Sequence, residues 1–309
     1  MRTQRILRLV PIGVIAILIA GCTPTASPGG VITLPRDYGN CSGPSGEYIY
    51  RANPQESLDV FPHIGGGSVG TIVFIHGGGF NAGDKRGDGS TCSSPGLSSM
   101  HMGAIMKQRE NGWDIISVNY RLITGDAGTK YPGPLIDVSE AVKWLKGLGG
   151  QIVGLNQGNV VVVGHSAGGT LAALLGAYSG QNVLGTQFPT IQGWVAISAP
   201  LDPGAGQGAA NFNTLVDGNI FGFTITNASP AANLGAGDPD GYLIHGVNDP
   251  LVSINHSRSI RNLAAQRGNS VTLDEVTPDR NKAGESNDSD HFAIGGANYT
   301  ALTGWLATH

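Results

Sequence analysis

From residue 47 onward, short apolar runs alternate with longer stretches of helical spacing, and glycine-rich turns separate them. Glu47–Arg51 and Ser57–Phe61 read as a first pair of strands. Thr71–Ile75 and Ile115–Val118 are β-branched runs of strand type. Val160–Val163 is wholly apolar, as expected of a strand buried on both faces of a parallel sheet. Trp194–Ile197, Tyr242–Ile244 and Val271–Val276 complete the predicted strands. Apolar positions at helical spacing predict helices over Leu97–Glu110 and Ile136–Leu145. Ala167–Tyr178, Asn255–Gln266 and Asn298–Thr308 follow as further helices. Strands alternating with helices define an α/β fold, with a mainly parallel central sheet covered on both faces. In such sheets chemistry gathers at the carboxyl ends of the strands. A loop-rich insertion from about Leu201 to Asp240 is the expected lid or rim.

The N-terminus breaks this pattern. Arg2, Arg5 and Arg8 precede an apolar run from Leu9 to Ala20. A run of that length suits the apolar region of a secretory signal better than a bilayer span, which needs ~20 apolar residues. The following Ile19-Ala20-Gly21-Cys22 resembles the lipobox of bacterial lipoproteins. The resemblance implies cleavage before Cys22 and lipid on that cysteine, with an ordinary cleaved signal as the alternative. Thr23 to Gly30 is rich in Pro, Thr, Ser and Gly and reads as a flexible tether. The expected organisation is a signal over 1–21, an anchored cysteine and tether over 22–45, and one catalytic domain over 46–309. Outside the cytoplasm Cys41 and Cys92 can pair as a disulfide, or they remain two separate thiols.

Composition narrows the classes. A hydrophobic fraction of 40 % supplies a sizeable core. The net charge is −4, and the first 21 residues hold three of the 18 basic residues and no acid, so the remainder is more acidic still. With no basic cluster, nucleic acid is not an expected partner. The expected membrane contact is the lipid anchor alone, at the cell envelope. No metal-ligand spacing is present, and no cofactor is expected.

The candidate chemistry lies in four segments. Gly164-His165-Ser166-Ala167-Gly168-Gly169 follows a predicted strand and opens a helix, the context required of a G-x-S-x-G nucleophile elbow. Ser166 is the candidate nucleophile. His76-Gly77-Gly78-Gly79-Phe80 follows another strand and fits an oxyanion-hole loop. The backbones of Gly78, Gly79 and Ala167 are the candidate donors, and His76 is expected to brace the loop. A phosphate-cradling loop would need a lysine with serine or threonine, which this segment lacks. Asp249 stands in His245-Gly246-Val247-Asn248-Asp249, just past a strand end, and His291 stands before the last helix. The order Ser166, Asp249, His291 fits nucleophile, orienting acid and general base.

Other residues compete for these roles. Asp202 follows the preceding strand and is a second candidate acid. His165 adjoins the serine and is expected to support it, and His245 is expected to be a core residue. His101 and His256 fall on predicted helices, and His309 is expected to be mobile at the terminus. Glu285, Asp288 and Asp290 form either a solvated loop or a carboxylate group that raises the basicity of His291.

With these motifs in place, the chain resembles the α/β-hydrolase esterases near hormone-sensitive lipase and the small carboxylesterase and kynurenine formamidase group. The likeness is carried by His76 to Phe80, Asn119-Tyr120-Arg121-Leu122, Gly164 to Gly169, Asp249 and His291. Tyr131-Pro132 through Asp137 to Trp144-Leu145 adds to it, and the whole spans roughly Val69 to the C-terminus. The resemblance implies hydrolysis of carboxylic esters through an acyl-enzyme. His165 stands where hormone-sensitive-lipase-like enzymes usually carry aspartate, which tilts the likeness toward the smaller esterases. The modest insertion implies an open site, suited to short-chain or polysaccharide-linked acyl esters. An amidase or peptidase would use the same triad, and a non-catalytic binding protein could use the same fold. Oligomeric state is not legible.

Overall fold

The computed structural model describes residues 46–51, 55–86, 104–124, 129–208, 210, 224–277, 291 and 296–309. The strands are β1 (Gly46–Ile49), β2 (Ser57–Phe61), β3 (Gly70–Ile75), β4 (Trp113–Val118), β5 (Val160–His165), β6 (Asn182–Val183), β7 (Thr186–Gln187), β8 (Gly193–Ile197), β9 (Asp240–Gly246) and β10 (Val271–Val276). The helices are α1 (Gly133–Lys146), α2 (Leu148–Val153), α3 (Ala167–Ala177), α4 (Pro230–Asn233), α5 (Asn255–Gln266) and α6 (Gly296–Leu306). A 3-10 helix at Lys107–Asn111 precedes β4.

Eight strands form one sheet in the order β1-β2-β4-β3-β5-β8-β9-β10. β1 and β2 pair antiparallel, as do β2 and β4, and the remaining pairs are parallel. The mainly parallel sheet expected from the sequence is therefore present. Six parallel strands deliver their carboxyl ends to one edge, and the loops carrying Ser166, His76 and Asp249 leave from that edge.

The two faces of the sheet sort by residue parity, because successive side chains on a strand point to opposite sides. Val73, Ile75, Val160, Val162, Trp194, Ala196 and Leu243 pack with α1, α3 and Ile260 of α5. Ile72, Phe74, Val161, Val163, Val195, Ile197 and Ile244 pack on the other side with Ile105 and with Leu302 and Leu306 of α6. Both faces are covered, so β3 from Ile72 to Ile75 and β5 from Val160 to Val163 are apolar, and both strands are buried throughout. No described helix is long and apolar enough to cross a membrane.

An ion cluster fixes the start of α1. Arg121 donates from Nε and Nη2 to the two carboxylate oxygens of Asp137, each at 2.7 Å. Arg51 reaches the same carboxylate at 2.9 Å, and Asp137 has no exposed side-chain surface. This packing joins the Asn119–Leu122 segment to α1.

Several predicted boundaries shift. Of the helix expected over Leu97–Glu110, residues 97–103 lie outside the described residues. The described part passes into the 3-10 helix, which ends at Gly112 with φ 89°. Helix α2 was not anticipated, since glycines in Leu-Gly-Gly-Gln-Ile-Val weaken its helical signal. The hairpin β6–β7 was also missed. Its strands are two residues long, and Leu184 and Gly185 at positive φ make its turn. His309 is not loose at the terminus, which corrects the expectation. Its ring stacks on Trp305 at 3.9 Å, and Nε2 lies 3.3 Å from Asp240. Cys22, Cys41, Cys92 and His101 lie outside the described residues, as do Glu285, Asp288, Asp290 and residues 211–223 of the insertion.

Candidate active site

Strand β5 ends in a turn sharp enough to require small neighbours. Ser166 has φ 51° and ψ −120°, an uncommon conformation for a residue with a Cβ. Its N–H donates to the Ile197 carbonyl at 2.8 Å, and its carbonyl accepts from Gly169 and Thr170 at the start of α3. The turn is affordable only because backbones meet directly. A Cβ on Gly164 would lie 2.1 Å from the Gly168 carbonyl oxygen, and one on Gly168 would lie 2.2 Å from that of Ile75. The N–H groups of Ala167 and Gly168 belong to the first turn of α3 and have no acceptor within the helix. They carry the positive end of its dipole beside Ser166.

The glycine loop after β3 lies against this turn. A Cβ on Gly77 would come within 3.2 Å of Ser166 Cβ. Gly78, Gly79 and Phe80 have φ of 114°, 59° and 68°, so the chain curls tightly, and Asn81 and Ala82 both donate to the Gly78 carbonyl. His76 braces the loop as expected. Its Nδ1–H donates to the Gly77 carbonyl at 2.7 Å, and its ring stacks on Tyr120 at 4.4 Å. Burial lowers its pKa to about 4, so the ring is neutral at ordinary pH. The far end of the loop is pinned by ions. Lys85 Nζ lies 2.7 Å from Glu47 and 2.9 Å from Ser57 Oγ. Arg86 grips Asp59 at 2.6 and 2.8 Å.

The turn after β9 presents Asp249. Oδ1 accepts from the backbone N–H of Leu251 and Val252, both at 2.8 Å. Oδ2 accepts from His291 Nδ1 at 2.8 Å. Burial opposes ionisation of Asp249, but the donors on its oxygens outweigh it and hold the carboxyl well below the usual carboxylate range. An ionised carboxylate only accepts, so His291 carries its proton on Nδ1 and leaves Nε2 as the basic nitrogen. The His291 carbonyl accepts from His165 Nε2 at 3.0 Å, and the two rings lie 5.0 Å apart. The structure thus joins Asp249 directly to His291, and joins His291 to the residue next to Ser166.

The competitors are occupied elsewhere. Asp202 accepts from Ser259 Oγ and from the Gly204 N–H. His256 accepts at Nδ1 from the Leu201 and Asp202 amides and donates at Nε2 to the Gln207 carbonyl. His245 is buried, as expected of a core residue, but it also touches Asp249, with Nε2 3.3 Å from Oδ2. Sequence reasoning missed this contact, although the four-residue spacing on either side of a tight turn was visible. Among the described residues no group of three or more His, Cys, Asp or Glu could hold a metal ion.

Comparison with known proteins accords with this geometry. The BD-FAE family model matches residues 58–263. Esterase LipI of Mycobacterium tuberculosis is 34 % identical over 106 residues, which cover 34 % of this chain and 28 % of the relative. The probable carboxylic ester hydrolase LipM of the same organism is 26 % identical over 262 residues, covering 77 % of this chain and 54 % of the relative. The chain therefore spans about half, or less, of the length of these curated relatives. A truncated carbohydrate esterase from gut microbiota superposes with a TM-score of 0.66 at 17 % identity, covering 86 % of this chain and 96 % of that one. At that identity the likeness is one of fold, and the fold is that of the α/β-hydrolase esterases.

Proposed function

The chain belongs to the BD-FAE family, and from that premise we propose that it is a serine carboxylesterase with Ser166, Asp249 and His291 as its triad. The observation that carries the reading is the Asp249–His291 bond of 2.8 Å at the same sheet edge as the strained Ser166 turn.

The chemistry follows from the atoms. His291 Nε2 takes the proton of Ser166 Oγ as the hydroxyl attacks the ester carbonyl. The backbone N–H groups of Gly78, Gly79 and Ala167 receive the oxyanion, and the dipole of α3 adds to them. His291 returns the proton to the departing alcohol. Water then attacks the acyl-enzyme by the same route in reverse, releasing the acid and Ser166. The carboxylate of Asp249 holds the His291 tautomer and stabilises the imidazolium.

Short-chain or polysaccharide-linked acyl esters are the proposed substrates. The fold likeness to a carbohydrate esterase and an exposed Leu251 beside the acid support an open rim. His165 before the nucleophile favours the small carboxylesterase and formamidase side of the family. Ile19-Ala20-Gly21-Cys22 supports export and a lipid anchor at Cys22. Metabolic labelling with a radioactive fatty acid should mark the parent and not Cys22→Ser, and an unlabelled parent would remove the anchor.

Hydrolysis of p-nitrophenyl acetate, butyrate and a longer ester by the parent and by Ser166→Ala tests the reading. Turnover in the parent that Ser166→Ala abolishes is expected, with acetate preferred. Equal turnover in both would remove Ser166 from the mechanism.

A further inference from the structure

Asp249 receives a second imidazole that the triad does not require. His245 is wholly buried at the end of β9. Its Nε2 lies 2.9 Å from the Val252 carbonyl and 3.3 Å from Asp249 Oδ2, the same oxygen that accepts from His291. Its Nδ1 lies 2.7 Å from Ser257 Oγ on α5. A carbonyl and an ionised carboxylate can only accept, so Nε2 carries a proton and shares it between them. In the neutral ring Nδ1 then accepts from the Ser257 hydroxyl. One tautomer satisfies all three partners.

The consequence for Asp249 is a full set of donors. Two backbone N–H groups occupy Oδ1, while Oδ2 takes the His291 N–H at 2.8 Å and a longer approach of 3.3 Å from His245 Nε2, whose shorter bond goes to Val252. This matches the roughly four lone-pair sites of a carboxylate. His245 also closes the turn on itself. Val252 gives its N–H to Asp249 and its carbonyl to His245. Other titratable groups near His245 are engaged. Glu275, its register partner on β10, is held by Arg258 at 2.9 and 2.6 Å, and Arg261 acts on the same carboxylate. His256, next to Ser257, is kept neutral mainly by burial.

We propose that His245 is a positioning residue for ester hydrolysis, which shares its Nε2–H with Asp249 Oδ2 and so sets how much carboxylate charge reaches His291. This rests on the reading of Asp249 and His291 as the acid–base pair. A donor on the carboxylate draws charge away from His291, so removing it makes His291 more basic. Oδ1 remains fixed by its two amides, so the carboxylate keeps its place when His245 is replaced.

The test compares His245→Leu with His245→Gln, whose amide can donate at the position of Nε2. Two readouts are taken on the full chain: the acid limb of kcat/KM for p-nitrophenyl acetate, and the titration of the His291 ring by NMR. The expected result for His245→Leu is an upward move of both by about half a pH unit or more. His245→Gln should restore the parent values. Ser257→Ala leaves Nε2–H facing its two acceptors and should keep both readouts at the parent values, while His245→Ala, which also removes the donor, serves if His245→Leu fails to fold. An unmoved or lowered His291 titration in folded His245→Leu or His245→Ala would overturn the proposal, as would a Gln variant that behaves like Leu. Failure of the esterase reading is recognised separately, by turnover that survives Ser166→Ala, and the NMR titration does not depend on turnover.

Discussion

Exchanging one oxygen of Asp249 for an amide group should disable the base without disturbing its position. In Asp249→Asn the side-chain oxygen must stay where Oδ1 is, because the Leu251 and Val252 amides donate to that point at 2.8 Å. The opposite orientation would aim an NH2 group at two backbone N–H groups and forfeit both bonds, at about 1 kcal/mol each before any clash. The NH2 group therefore takes the place of Oδ2 and faces His291 Nδ1 at 2.8 Å. Two donors cannot share that contact, so His291 moves its proton to Nε2, and the nitrogen meant to deprotonate Ser166 becomes a donor. The wrong tautomer in a Ser-His-Asp triad lowers kcat by about 10⁴, or about 5 kcal/mol of transition-state stabilisation. The assay is kcat/KM for p-nitrophenyl acetate from pH 6 to 9, with near-UV circular dichroism to confirm the fold. Asp202→Asn, which touches only Ser259 and Gly204 of the contacts described, should stay within about twofold of the parent. A folded Asp249→Asn within tenfold of the parent would refute the assignment of the acid.

Three further outcomes follow from other parts of the molecule. The pKa of His76 falls from 6.5 to about 4 on folding, so below pH 6.5 the unfolded chain binds a proton that the folded one refuses. Stability is then lost as pH falls, by about 2 kcal/mol at pH 5 from this group, and urea denaturation at pH 7 and 5 should show that slope reduced in His76→Asn. Arg121→Ala leaves the buried carboxylate of Asp137 with only Arg51 as a cationic partner. It should cost about 3–5 kcal/mol, read as a lowered urea midpoint, and a loss under 1 kcal/mol would contradict the burial argument. In Gly164→Ala a Cβ would meet the Gly168 carbonyl oxygen at 2.1 Å, backbone against backbone. A loss of about 3 kcal/mol or more is expected, and a parent-like melting temperature would show that the elbow can spread.

Much of this arrangement was legible in the sequence, and the reason differs from part to part. Val160–Val163 and Thr71–Ile75 announced themselves because a strand covered on both faces has no polar positions to confuse its pattern. Ser166 and His76 were legible because the sharp turn and the curled loop tolerate few residues besides glycine at their flanks. Asp249 was legible from its position past a strand end, and the structure sets its carboxylate 2.8 Å from His291 Nδ1. Helix α2 escaped because its formation depends on packing after Gly147 and not on its own propensity. His165 was expected to support the serine and His245 to be a core residue, but the contacts each makes escaped for another reason. Each depends on a partner that is remote in the chain or hidden within a turn, His165 on the carbonyl of His291 and His245 on the far side of the Asp249 turn. Hydropathy patterns register neither kind of contact.

The ion cluster around Lys85 and Arg86 changes what the first strand is for. Glu47 of β1 reaches both cations, and Lys85 is only 3 % exposed, so water cannot replace a missing carboxylate there. The residues so gripped lie on the segment that follows Gly77, the glycine that packs on Ser166. Removing residues before Gln55 would also strip Arg51 from Asp137 and Tyr48 and Tyr50 from the core, so the narrower perturbation is Glu47→Gln, which leaves the edge strand in place. The damage would nonetheless surface at the opposite level of organisation, as a slackened oxyanion loop. The Glu47→Gln variant should still melt cooperatively while hydrolysing p-nitrophenyl acetate poorly. The N-terminal edge is therefore better regarded as a fastening of the active site than as the ragged margin of a domain.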